Sequence, residues 1–127
     1  MRTVLVVDDE FGVAEVLEAV LQDEGYRVVT AINGRQGLDR ARETPPDLVM
    51  LDLMMPIMGG AATLAALHAD PVLHGIPVVM MSSLEEAAVR ETCSGYRAFL
   101  RKPFRMAEML SLLEELAPPD VLARDDG

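Results

Sequence analysis

Short apolar runs alternate along this chain with longer stretches in which apolar residues recur every three or four positions. Val4 to Val7 is a valine-rich run of strand type, and Val13, Val16, Leu17, Val20 and Leu21 then trace one face of a helix. Gly25 fits a helix C-terminus, where a left-handed residue is needed. Arg27 to Ala31 reads as a second strand. Asn33 is placed to cap a helix reaching about Arg42, and Pro45-Pro46 bars its continuation. Leu48 to Leu51 is a third strand, followed by a helix over 60–68 with Ala61, Leu64 and Ala65 on one side. Val78 to Met81, entered through Pro77, is a fourth strand. A weaker helix over 84–93 follows, with Leu84, Ala88 and Val89 as its apolar residues. Ala98 to Leu100 is a short fifth strand. Met106, Met109, Leu110, Leu113 and Leu116 form the stripe of a last helix, which Pro118-Pro119 ends.

Strands alternating with helices in this way predict parallel β–α units. The strands are nearly continuous in apolar residues, as expected when helices cover both faces of a sheet. The predicted fold is an α/β open, doubly wound (βα)5 sheet. In such sheets, ligands bind beyond the C-terminal ends of the strands. Residues 1–117 would form the domain, and 118–127 a C-terminal tail or the start of a linker.

Composition narrows the picture. The 127 residues suit one domain with one core, and 50% hydrophobic with 25% charged residues is globular. No apolar stretch approaches the roughly 20 residues of a membrane span. The opening M-R-T-V-L-V-V-D-D is too short in its apolar run for a signal peptide, and a cytoplasmic location is expected. The single cysteine, Cys93, has no internal disulfide partner, in keeping with a reducing compartment. A net charge of −10 argues against direct nucleic-acid binding, which needs clustered Lys and Arg.

The strand ends hold the candidate chemistry. Asp8, Asp9 and Glu10 follow the first strand, Asp52 ends the third, Ser82 and Ser83 follow the fourth, and Lys102-Pro103 follows the fifth. Taken singly, an acid after a strand is an ordinary helix cap and a lysine an ordinary surface residue. Together they put carboxylates, hydroxyls and an ammonium on one rim. Clustered carboxylates resist full ionisation, and a hard divalent cation such as Mg2+ relieves the conflict. A serine hydroxyl donates to phosphoryl oxygens. The set suits a carboxylate that attacks phosphorus, with metal and lysine offsetting the charge. His68 and His74 have no acidic or cysteine companions and read as surface residues.

The segments V-L-V-V-D-D-E, L-D-L-M-M-P-I-M-G-G, V-V-M-M-S-S and A-F-L-R-K-P-F, in this order, resemble the receiver domain of two-component response regulators. The resemblance covers the chain to about Leu116. It implies a flavodoxin-like sheet with strand order 2-1-3-4-5. Asp52 would be the phosphorylated aspartate. Mg2+ would be held by Asp8, Asp9, Asp52 and the Met54 backbone carbonyl. Lys102 would contact the phosphoryl group, Ser82 would be the switch hydroxyl and Phe99 the switch aromatic, with a cis bond before Pro103. Serine stands at a switch position where threonine is commoner, and Phe99 lacks a tyrosine hydroxyl, so a switch there would rest on packing.

Met54 and Leu84, each two residues past a reactive position, are apolar and imply slow phosphate loss. The implied partners are a sensor histidine kinase or histidine phosphotransfer protein, and an output partner or domain met through the fourth helix, fifth strand and last helix. The domain would be a monomer or a phosphorylation-dependent dimer, without nucleic-acid or membrane binding of its own. It would be no turnover enzyme.

Rival readings fit less well. A phosphohydrolase of the haloacid dehalogenase type needs a D-x-D motif on the first strand. A nucleotide or flavin binder needs a glycine-rich loop where V-V-D-D-E-F-G is acidic. An interaction module that never takes phosphate would not need the complete acidic set.

Overall fold

A computed structural model describes residues 1–119. Its elements run β1 (Thr3–Val7), α1 (Phe11–Asp23), β2 (Arg27–Ala31), α2 (Gly34–Glu43), β3 (Leu48–Asp52), α3 (Gly60–Ala69), β4 (Val78–Ser82), α4 (Glu86–Arg90), β5 (Ala98–Arg101) and α5 (Met106–Leu116). All strand pairs are parallel, and the sheet order is β2-β1-β3-β4-β5, as the resemblance implies. Every residue of β1, β3 and β4 is buried, which is why these strands read as unbroken apolar runs.

Alternation along the strands divides the core into two layers. Val4, Val6, Met50 and Met81 pack with Leu17 and Leu21 of α1 and with Met109 and Leu113 of α5. Leu5, Val7, Leu51 and Met80 pack with Leu38 of α2, Leu64 and Leu67 of α3, and Val89 of α4. At ~25 cal/mol per Å2 of apolar surface removed from water, these two layers are the main source of stability.

The helices depart from their expected stripes at a few positions. In α1, Ala14, Leu17 and Leu21 are buried while Val16 is 53% exposed. In α3, Thr63, Leu64 and Leu67 face inward and Ala65 is exposed. The weak fourth helix shrinks to Glu86–Arg90, with Val89 its one buried residue; Leu84 precedes it and is exposed. Asn33 caps α2, its side chain accepting from the Gln36 N–H at 2.8 Å. Gly25 takes φ +95°, the left-handed conformation expected of it.

Two connections tie the far end of the fold together. The Tyr26 hydroxyl donates to the Ala117 carbonyl at 2.9 Å, and Thr3 N–H donates to the Asp47 carboxylate at 2.7 Å. The expected tail over 118–127 lies, from residue 120 onward, outside the described residues. Among the described residues no helix is long and apolar enough to cross a membrane.

Candidate functional site

Parallel strands release their next residues onto one rim, and four strand ends meet there. Asp8 directly follows β1 and is fully buried; its own N–H donates to the Ala31 carbonyl at 3.0 Å, which extends the β1–β2 ladder by one bond. Asp52 is the last residue of β3 and 6% exposed. Ser82, the last of β4, is buried. Lys102 follows β5, its N–H donating to the Ser82 carbonyl at 2.8 Å, and the Lys102-Pro103 bond is cis, as expected.

The turn after Asp52 holds α3 close. Gly60 N–H donates to the Leu53 carbonyl at 2.8 Å, and a Cβ at Gly60 would run into the Asp52 carbonyl and Leu53 Cα. Backbone cannot yield there as a side chain can, so the P-I-M-G-G segment needs glycine at this point. Ile57, at the tip of the turn, has φ +69°.

Lys102 reaches three carboxylates at once. Its Nζ lies 2.8 Å from Asp8 Oδ2, 3.2 Å from Glu10 Oε1 and 3.4 Å from Asp52 Oδ1. Oxygens of the same three acids lie within 4.8 Å of one another. Three hard oxygen donors at this spacing fit a divalent cation such as Mg2+ by donor chemistry. Asp9 is exposed and lines the cleft without joining that group. The Asp52 carboxyl is pushed up to about 6, first by burial and next by the Asp8 charge, with Lys102 pulling the other way. Burial works against the Lys102 ammonium, yet its hydrogen bond to Asp8 and the charges of Asp52 and Asp8 outweigh this and raise it.

The cleft is about 700 Å3, and Asp9, Asp52, Met54, Ser82, Lys102 and Phe104 are among its walls. Ser82 Oγ accepts from Leu84 N–H at 3.1 Å, which does not use the hydroxyl proton. Phe99 is half-buried and packs in the second core layer, behind the rim. Met54 is 70% exposed at the cleft mouth. His74 is exposed; His68 is half-buried, its ring against the backbone of Gly95.

The contact between Glu10 and Lys102 escaped sequence reasoning, which placed Glu10 on the rim without a role. Its position directly after the acidic pair was the available signal.

The response regulator receiver domain family matches residues 4–114. Among relatives, the DNA-binding response regulator MtrA of Mycobacterium tuberculosis (strain H37Rv) is 38% identical over 112 residues, covering 87% of this chain and 48% of MtrA. The DNA-binding dual master transcriptional regulator RpaA of Synechocystis is 33% identical over 118 residues, covering 91% of this chain and 49% of RpaA. This chain thus spans about half the length of these curated relatives.

Among solved structures, the Vibrio cholerae chemotaxis response regulator CheY4 superposes with a TM-score of 0.86 at 29% identity, covering 91% of this chain and 98% of that one. The receiver domain of the Pseudomonas aeruginosa sensor histidine kinase PA1611, which has a magnesium ion coordinated in its active-site cleft, gives 0.85 at 26% identity, covering 91% and 96%. With this sheet order, these strand-end residues and a family match over nearly its whole length, the chain belongs to the response regulator receiver domain family of two-component signalling.

Proposed function

We propose that this domain accepts a phosphoryl group on Asp52 from a histidine kinase or a histidine phosphotransfer protein, with Mg2+, and acts as a phosphorylation-controlled switch. The observation that carries the reading is the Asp52 carboxylate at the rim, 3.4 Å from Lys102 Nζ and beside the Asp8 and Glu10 carboxylates. An Asp52 oxygen attacks phosphorus while the bond from phosphorus to the donor's histidine nitrogen breaks. The nitrogen keeps that electron pair, and an acyl phosphate forms on Asp52. With its carboxyl near 6, Asp52 is largely ionised at neutral pH and available as nucleophile.

Asp8, Asp9, Asp52 and the Met54 carbonyl would hold the metal, Asp9 turning in from the cleft wall while Glu10 stays with Lys102, and the metal would supply neutralising charge to the transferring group. Lys102 supplies a further positive charge, and the Ser82 hydroxyl donates a hydrogen bond to a phosphoryl oxygen. Positioning and charge neutralisation are most of what such a transfer requires of a protein.

Movement of Ser82 towards the phosphoryl group gives up its bond to Leu84 N–H and so disturbs the start of α4. Phe99 on β5 repacks in response, and the α4–β5–α5 face carries the change to an output partner or domain. The domain itself does not bind nucleic acid, is no turnover enzyme and works in the cytoplasm. Residues 1–117 form the phosphoacceptor unit.

Incubation with Mg2+ and acetyl phosphate, read by intact mass, tests the reading. Wild type gains one phosphoryl group and Asp52→Asn gains none. A gain that persists in the variant, or none in either protein, refutes it.

A further inference from the structure

We propose that Glu10 restrains Lys102 in the unphosphorylated protein and competes with the incoming phosphoryl group for its ammonium. The inference rests on the reading of Asp52 as phosphoacceptor. Glu10 stands at the N-cap of α1, φ −89° and ψ 99°, yet its side chain makes no capping bond. Instead Oε1 lies 3.2 Å from Lys102 Nζ, 92 residues away in sequence. The loop is folded to bring this about. Glu10 N–H donates to Asp8 Oδ1 at 2.9 Å, and the other oxygen of the same carboxylate takes Lys102 Nζ at 2.8 Å. Asp8 thereby links the Glu10 backbone and the ammonium that the Glu10 side chain grips.

The three holders of Lys102 are not equivalent. Asp8 is fully buried, so releasing its cation would strand a charge away from water. Asp52 is the group to be phosphorylated. Glu10, with a side chain 61% exposed, is the one partner that can return to solvent at small cost. A lysine has a flexible stem and its donors rotate, so it can exchange one oxygen partner for another. Lys102 therefore passes from Glu10 to a phosphoryl oxygen when the group arrives, while Asp8 keeps its hold on the ammonium. Glu10 is a positioning residue acting through Lys102, and its presence slows the acceptance of phosphate.

Two variants and two readouts test this. Glu10→Gln removes the charge. Glu10→Asp keeps the charge on a side chain one methylene shorter, out of reach of Lys102. In the metal-free protein without phosphodonor, the Lys102 ammonium protons, followed by nitrogen-15 NMR, exchange with water faster in both variants than in wild type. At saturating Mg2+ and acetyl phosphate, both variants are phosphorylated about two- to fivefold faster, the range expected for release of one exposed ion pair. Unchanged Lys102 exchange, an unchanged or slower rate in Glu10→Gln, or a Glu10→Asp variant that matches wild type overturns the proposal. Failure of wild type itself to take phosphate overturns the phosphoacceptor reading instead, and the exchange measurement still judges the Glu10 contact on its own.

Discussion

Asp52 is held where its negative charge is costly, and that cost has a sign that can be measured. Its carboxyl is raised from 3.8 to about 6 in the folded protein, so the folded state binds this proton more tightly than the unfolded state does. Stability contributed by the group is therefore greatest below about pH 4, declines as pH rises through 6, and stays low above. Asp52→Asn keeps the shape and removes the titration, and Lys102 retains Asp8 and Glu10 as partners. In metal-free buffer at pH 7.5 the variant is expected to be more stable than wild type by about 1–2 kcal/mol, allowing for solvent screening in an open cleft. The gap should close near pH 4. Urea unfolding at both pH values checks this; a variant no more stable than wild type at pH 7.5, or an equal gap at both, contradicts it. A second residue-scale prediction concerns loss of phosphate. Met54 and Leu84 present only apolar side chains, 70% and 43% exposed, and neither side chain offers a strong hydrogen bond to a water beside a phosphorylated Asp52. Met54→Asn adds a polar group there, and a severalfold shorter acyl-phosphate lifetime is expected from timed intact-mass measurements. An equal or longer lifetime counts against this role.

At the scale of elements, what was legible in the residues follows from what each element buries. β1, β3 and β4 are covered on both faces and announce themselves as apolar runs. Because strand ends in a parallel sheet share one rim, the sequence alone places Asp8, Asp52, Ser82 and Lys102 together. The sequence G-A-A-T-L-A-A-L-H-A of α3 is different. It is apolar nearly all round, so periodicity does not distinguish its inner face from its outer one. Thr63 turns inward because its hydroxyl is satisfied within the helix, donating to the Gly59 carbonyl at 2.8 Å. The fourth helix is shorter than its pattern over 84–93 predicts because its ends depend on local bonds rather than on pattern. Ser82 Oγ takes the Leu84 N–H, Glu85 is extended at the cap, and Gly95 with φ +83° closes the segment against His68. The grip of Glu10 on Lys102 was illegible for a related reason: it depends on a turn around Asp8 and on a partner supplied by the last β–α unit.

Across the whole molecule, chemistry and fastening lie at opposite ends of the sheet. β2 begins after Tyr26 and ends beside β1 at the rim that carries Asp8, while α5 leaves that rim near Lys102 and runs back the other way. Its C-terminal end meets Tyr26, whose buried hydroxyl reaches the Ala117 carbonyl across 91 residues of sequence. Tyr26 also packs in the core layer under α1 and α5, so its ring and its hydroxyl make separable contributions. Tyr26→Phe keeps the ring and removes the donor from a buried carbonyl, which is expected to cost about 1–2 kcal/mol. The urea midpoint should fall with the slope unchanged, since the surface exposed on unfolding stays the same. Acyl-phosphate yield on Asp52 should equal that of wild type, because the bond is made at the rim away from the cleft. An unchanged midpoint would show that this bond contributes nothing net. A lowered yield in protein that remains folded would show that the anchored end of α5 and the reactive rim are coupled through the helix rather than independent.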